Sequence, residues 1–310
     1  MSVQKNKSLL TLEETVQATN GIHVLGLGDF YFSSVKIDSR CVEKGSLFIP
    51  LIGQNQDGHA YIPQALENGA SVVFICLKNY ENDSNFFTGL SLKYPEVFFI
   101  AVENTMIALQ RVAGRYVEKF PDLIKIGITG SSGKTTTKEI AATLLRKKYR
   151  VVTNEGNLNS ETGLPLSVFN IKKEDQIGIF EMGMNRKNEI AEIAAVLKPR
   201  FAIITNIGTA HIGILGSRQA IAEEKANIFS HFKGIGTAFI PKDDDFADFL
   251  TGRVDGNVVY YGTSCDADIS DVVDLGLAGT KFCISRKETI LPLPGKYNFT
   301  NALAALSLAK

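Results

Sequence analysis

The stretch Ile124-Lys125-Ile126-Gly127-Ile128-Thr129-Gly130-Ser131-Ser132-Gly133-Lys134-Thr135-Thr136-Thr137 constrains this chain more than any other. A short apolar run predicts a buried strand. A glycine-punctuated turn follows, then Lys-Thr-Thr-Thr and a helix-forming segment from Lys138 to Lys148. Glycines let backbone N–H groups close around phosphate oxygens, and the N-terminus of the following helix adds partial positive charge. In such a loop Lys134 reaches the β- and γ-phosphates of a nucleotide, and the Thr135 hydroxyl ligates Mg²⁺. The strict pattern has glycine five places before Gly133, where this chain has Ile128. The remaining Gly130-x-x-Gly133-Lys134-Thr135, between a strand and a helix, has the confirming context. A glycine-rich turn carrying a surface lysine is the plainer alternative, but turn, Lys-Thr pair and flanking elements all agree on the first reading.

Strand and helix signals alternate on both sides of this loop. Residues 9–20 predict a helix with Thr11 as N-cap and Glu14 at the capping-box position. Strands are expected over 34–37, 46–51, 71–77 and 97–102, and helices over 61–68, closed by Gly69, and 105–120. This is a small α/β domain, residues 1–122. From residue 123 the alternation restarts, defining a second domain over 123–310. Strands are expected at 150–153, 176–180 ending at Glu181, 201–205 ending at Asn206, 237–240 and 258–261. Helices are expected at 162–169, 187–197, 217–232 with Ser217 as N-cap, and 298–310; short β segments fill the stretch before the last. The alternation predicts an α/β fold with a mostly parallel sheet flanked by helices. Ligands then bind at the carboxyl ends of the strands, where the loop, Glu181 and Asn206 all fall.

Composition narrows the functional classes. Lys+Arg and Asp+Glu both number 33 in 310 residues, so there is no electrostatic footprint for nucleic acid. Cys41, Cys76, Cys265 and Cys283 lie far apart without a Cys-x-x-Cys pair, which gives neither a disulfide framework nor a zinc site. No apolar run reaches the roughly 18 residues of a membrane span, and no signal-peptide core precedes the first helix. A cytoplasmic monomer is the expectation.

Several residues outside the loop carry chemistry. Glu181 ends an apolar strand downstream of it, where a carboxylate can hold Mg²⁺ against a nucleotide. His211 follows the strand ending in Thr205-Asn206; a lone imidazole is more often structural, and only its place at the same sheet edge raises it. Lys225, beside Glu223 and Glu224, reads as a solvated lysine. Asp243-Asp244-Asp245 reads as a solvated loop, because it has no strand-end context. Asp38-Ser39-Arg40 and Asp57-Gly58-His59 are polar loops whose residue types suit hydroxyl, phosphate or base contacts.

Taken together these segments resemble the Mur ligase family, the amide ligases of peptidoglycan assembly. The resemblance rests on Thr129 to Thr136, Asn157-Leu158-Asn159 with Gly163-Leu164-Pro165-Leu166, Glu181-Met182-Gly183-Met184, Thr205 to His211, and Gly216-Ser217 with Ile221-Ala222 and Lys225. In the first domain it rests on Asp38-Ser39-Arg40, Gly45 to Phe48, Asp57-Gly58-His59 and Gly69-Ala70. It is nearest to the branch that adds D-alanyl-D-alanine to UDP-N-acetylmuramoyl-tripeptide.

The resemblance implies ATP and Mg²⁺ as cofactors, and those two molecules as partners. ATP would be held by Gly130, Ser131, Ser132, Gly133, Lys134, Thr135, Thr136, Asn298 and Asn301. UDP-substrate contacts would come from Asp38, Ser39, Arg40, Asp57, Gly58, His59, Asn157 and Asn159. Lys134, Glu181, His211 and Lys225 would be catalytic, with Thr135, Glu181, His211 and Lys225 serving metal. Lys225 matches the family's carbamylated lysine, which reverses its reading as a solvated side chain. The implied reaction is phosphoryl transfer to the tripeptide carboxylate, giving an acyl phosphate, then amide formation. Two departures accompany the resemblance: Tyr297 stands where the family usually has His, and the family's third, C-terminal domain has no counterpart before Lys310. A non-catalytic UDP-muramoyl-peptide-binding fragment and another Mur-type amide ligase remain alternative readings.

Overall fold

In a computed structural model describing residues 8–265 and 268–310, apolar runs and helices assemble into two units, one through Phe120 and one from Pro121. In the first, α1 (Leu12–Thr19) begins with the expected capping box: Glu14 N–H donates to Thr11 Oγ1 at 3.1 Å, and Thr11 N–H to Glu14 Oε2 at 2.9 Å. Strands β1 (Ile22–Leu25), β2 (Ser34–Lys36), β3 (Ser46–Phe48), β4 (Ala70–Cys76) and β5 (Phe98–Val102) form one sheet in the order β1-β5-β4-β3-β2. All pairs are parallel except β1 with β5. Helices α2 (Ile62–Glu67), α3 (Leu77–Asn82), α4 (Ser84–Lys93) and α5 (Thr105–Val117) complete the unit. Ile62, Ala65 and Leu66 of α2 share a core with Phe48, Val73, Ile75 and Phe99.

Three elements lack a clear sequence signal here. β1 is an edge strand with no buried residue, and α3 and α4 together bury only Phe87. Faint apolar periodicity follows from faint burial. The strand expected to reach Leu51 stops at Phe48, ahead of Pro50, which has no N–H for a ladder.

The second unit contains β6 (Ile124–Thr129), α6 (Lys134–Leu145), β7 (Val151–Thr153), α7 (Gly163–Val168), β8 (Ile177–Glu181), α8 (Glu189–Leu197), β9 (Phe201–Ile204), α9 (Ile212–Leu215), α10 (Arg218–Ala226), β10 (Gly236–Pro241), α11 (Ala247–Thr251) and β11 (Gly256–Tyr261). The six strands form a wholly parallel sheet in the order β11-β10-β9-β6-β8-β7. The chain winds one way from β6 to β7 and β8, then crosses to β9 on the other side. That reversal puts the switch point at the carboxyl end of β6, where open α/β sheets take their ligands.

Ile126, Ile128, Ile179 and Ile203 pack with Ala141 and Ala142 of α6 and with Leu303 and Ala304 of the last helix, α12 (Lys296–Ala309). Between β11 and α12 an antiparallel meander, β12 (Ile269–Asp274), β13 (Thr280–Ile284) and β14 (Lys287–Leu291), lays Phe282 edge-on to Phe299 of α12. The helix expected over 217–232 is shorter. α10 ends at Ala226 and a 3-10 turn turns Ile228 and Phe229 into the interior. Among the described residues no helix is long and apolar enough to cross a membrane.

Candidate nucleotide-binding site

The loop after β6 is shaped by what its glycines exclude. A Cβ on Gly130 (φ +153°) would lie 1.8 Å from Thr205 Oγ1, and one on Gly133 (φ +78°) would lie 2.3 Å from Asn301 Oδ1. Both positions therefore require glycine. Asn206, just beyond β9, holds the loop from outside. Its carbonyl accepts the Ser131 N–H at 3.0 Å and its Oδ1 the Ser132 N–H at 3.2 Å; Ser131 Oγ in turn accepts the Gly208 N–H at 2.8 Å. α6 starts directly from Gly133 with no side-chain cap, so its first N–H groups lack a protein side-chain partner. An uncapped N-terminus at a switch point is where an anion binds.

Two cations converge on this loop. Lys134 Nζ donates to the Gly130 carbonyl at 3.1 Å, and Lys225 Nζ, from α10, donates to the same oxygen at 2.9 Å. Lys225 is only 1% exposed; burial, aided by the nearby Lys134 charge, pushes its pKa down to about 7. Burial also lowers Lys134, with Glu181 opposing. Lys225 is thus no solvated lysine: α10 turns it inward while Glu223 stays outside.

A carboxylate completes the centre. Glu181, the last residue of β8 and 3% exposed, accepts Thr135 Oγ1 at 2.7 Å on Oε2 and Asn159 Nδ2 at 2.7 Å on Oε1. Buried Asn154 fixes its backbone, accepting the Glu181 N–H at 2.9 Å and donating to its carbonyl at 3.0 Å. Asn154 carries no motif; only its place after β7 hints at it. Hydroxyl and carboxylate oxygens are hard donors that suit Mg²⁺, which is commonly bound by one or two carboxylates together with substrate phosphates. Among the described residues no group of three or more His, Cys, Asp or Glu gathers into a metal cage. His211 sits in the left-handed region (φ 66°) ahead of α9. It follows β9 at the same carboxyl edge, and burial, with the charges of Lys225 and Lys134, pushes its pKa down.

Ser131, Ser132, Gly133, Thr136, Asn206, Arg218, Asp243, Tyr297, Asn298 and Asn301 line a cavity of about 1040 Å³. Asn298 donates to the Pro294 carbonyl at 2.8 Å, and Tyr297 is exposed. Asp243-Asp244-Asp245 begins two residues past the end of β10 at this carboxyl edge, so reading it as a loop without strand-end context is corrected. Asn159 reaches the centre through Glu181, whereas Asn157 is exposed in the preceding turn and meets none of these groups through its side chain.

The first unit has its own cavity, about 540 Å³, lined by Asp38, Ser39, Arg40, Gly58, Tyr61 and Gln64 among others. Asp57 and His59 do not line it. His59 is buried: its Nδ1 shares a 2.5 Å hydrogen bond with Asp57 Oδ1 and its Nε2 accepts the Cys76 N–H at 2.8 Å. Asp57 Oδ2 accepts Asn79 Nδ2 at 2.7 Å. Both His59 nitrogens are committed, so His59 braces the loop, with the exposed Asp57 as its partner. Ser39 is likewise buried and donates to Gln64 Oε1 at 2.6 Å. Asp38 pairs with Arg40, whose guanidinium holds the carboxyl down at about 2.

An uncapped helix at the switch point of a parallel sheet, with two lysines and a strand-end carboxylate around it, defines a phosphate-loop α/β domain. The model for the Mur ligase middle domain matches residues 128–309, which contain all of these groups, and the Mur ligase family catalytic domain matches residues 31–117. The chain belongs to the Mur ligase family. A UDP-N-acetylmuramoyl-tripeptide--D-alanyl-D-alanine ligase from Treponema pallidum is 44% identical over 97% of the chain and 65% of its own length. The enzyme of that name from Bacillus subtilis is 35% identical over 88% of the chain and 57% of its own length. Among solved structures, MurF from Acinetobacter baumannii superposes with a TM-score of 0.83 at 28% identity, covering 96% of this chain and 64% of that one. MurF ligase from Thermotoga maritima in complex with ADP gives 0.73 at 30% identity, covering 89% and 62%. The chain therefore spans less than two thirds of the length of these relatives.

Proposed function

We propose that this chain serves an ATP-dependent amide ligase joining D-alanyl-D-alanine to UDP-N-acetylmuramoyl-tripeptide. Residues 1–122 hold the UDP end and residues 123–310 hold ATP. The observation that carries the reading is the convergence of Lys134 and Lys225 on Gly130 beside the Thr135–Glu181 pair. The names of the relatives and the ADP held by one of them support it.

The reaction must bring a carboxylate to a triphosphate, and like charges repel. Lys134 offsets that repulsion once it leaves Gly130 for the phosphates, while the N–H groups at the uncapped start of α6 fix the β-phosphate. The tripeptide carboxylate oxygen attacks the γ-phosphorus and ADP departs, leaving an acyl phosphate. The D-alanyl-D-alanine amine then attacks the acyl carbon, phosphate departs, and the nitrogen loses a proton. Mg²⁺ held by Thr135 and Glu181 would supply further neutralisation of the phosphates. Lys225, with its pKa brought down to about 7, has a substantial neutral fraction at physiological pH. A neutral amine adds CO₂ and releases a proton to become a carbamate, which turns a buried cation into an anionic oxygen ligand.

The test is phosphate release from Mg-ATP with the UDP-tripeptide and D-alanyl-D-alanine added singly and together. Release that requires both supports the ligase. Tight UDP-tripeptide binding without release favours a binding fragment, and release with a different amine or a different carboxylate substrate moves the chain to another Mur-type ligase.

A further inference from the structure

The backbone of Ile207, next to Asn206, is gripped on both sides. Asp244 Oδ2 accepts its N–H at 2.8 Å, while Arg218 Nη2 donates to its carbonyl at 2.8 Å. The two grips are tied together: Arg218 Nη1 donates to Asp245 Oδ2 at 2.8 Å, and Asp244 Oδ1 accepts the Phe246 N–H at 2.9 Å. The guanidinium also lies 5.0 Å over the Phe246 ring. Three separate segments thus meet at one residue: the turn after β10, the first residue of α10 and the loop after β9. From there the hydrogen bonds run inward. Asn206 holds the Ser131 and Ser132 N–H groups, and Gly208 N–H holds Ser131 Oγ.

We propose that Arg218, with Asp244 and Asp245, is a positioning clamp for the phosphate loop. It sets nucleotide affinity by fixing Ile207 and, through Asn206, the loop N–H groups. The inference rests on the reading of this loop as the nucleotide site. With the peptide groups on both sides of Ile207 held, the backbone there has little rotational freedom, so Asn206, whose carbonyl shares the first of those groups, meets the loop already oriented. Arginine suits the task because its fork donates two N–H groups in fixed directions, here one to a carboxylate and one to a carbonyl. Two of the three consecutive acids after β10 then have separate jobs: Asp244 holds backbone, and Asp245 holds the arginine.

Calorimetric affinity for Mg-ADP, with thermal melts of each variant, tests the clamp. Arg218→Ala should weaken ADP binding about tenfold, the scale of one lost charged hydrogen bond. Arg218→Lys should recover part of that loss. Asp245→Ala should cost less than Arg218→Ala, and the double variant should bind no more weakly than Arg218→Ala, since Asp245 acts through the arginine. Arg253→Ala is the control, because Arg253 stacks on Phe249 at 5.0 Å in much the same way but lies outside the chain of bonds. It should leave ADP affinity unchanged even where it lowers the melting temperature. Wild-type affinity in folded Arg218→Ala overturns the clamp alone, as does an equal loss in Arg253→Ala. If Arg218→Ala does not fold, wild-type affinity in both Arg218→Lys and Asp245→Ala overturns it. Failure of the wild-type chain to bind ADP overturns the nucleotide site and the clamp together.

Discussion

The two units treat polar loop residues in opposite ways. In the first, the motif side chains spend their hydrogen bonds on one another and on the backbone: His59 on Asp57 and Cys76, Ser39 on Gln64, Asp38 on Arg40. Their product is a loop shape, with cavity walls from Asp38 to Arg40 and Gly58. In the second, the polar groups converge instead of pairing off. Two lysines share one carbonyl oxygen, and one carboxylate faces the hydroxyl of the helix that should receive phosphate. Such a centre is electrostatically incomplete by itself: Lys225 is held near neutrality because its positive charge would be buried against another. A loop that satisfies itself provides a scaffold; a cluster that cannot satisfy itself provides a site.

The contrast is broken most directly at Lys134. Lys134→Ala should cut substrate-dependent phosphate release at least about a hundredfold without lowering the melting temperature. Full release from that variant would put the chemistry elsewhere. Next, Glu181→Gln should cost about thirtyfold in release and abolish the difference between nucleotide binding in Mg²⁺ and in a chelator. If Mg²⁺ still tightens binding in Glu181→Gln, the carboxylate does not serve the metal.

The first unit should answer in the other currency. His59→Ala should destabilise it by about 2 kcal/mol, because the buried Cys76 N–H loses its acceptor, and UDP binding should fall only as the fold does. Arg40→Ala, by contrast, should leave the melting temperature in place and weaken UDP binding about fivefold. Equal effects of the two on stability would erase the distinction between brace and wall.

The last test is a pH slope. Lys225 titrates at about 7 folded and near its ordinary 10.5 unfolded, so between those values the unfolded chain binds the extra proton. Stability should therefore rise with pH across that window, where the folded state escapes a buried charge. The lowered Lys134 acts with the same sign. Denaturant unfolding at several pH values should show a shallower rise in Lys225→Met. An unchanged slope would mean that Lys225 does not carry the perturbed titration.

Local sequence determined much of this protein. The strand–loop–helix around Gly130, the capping box at Thr11 and Glu14, the Ser217 cap of α10 and the acid ending β8 each follow from residues close in the chain, where period and turn chemistry act. Elements that bury little, such as β1 and α4, left little pattern to read. What only the tertiary structure decided was which polar side chains meet. Lys225 reaches Gly130 across 95 positions, and Asp244 reaches Ile207 across 37. His59 turns inward to the backbone of Cys76, although its residue type and neighbours equally suit a ligand contact. Hydrogen bonds and charge act through space over a few ångströms, so a lysine among glutamates and a run of three aspartates read as solvated until the sheet brings their partners to one edge.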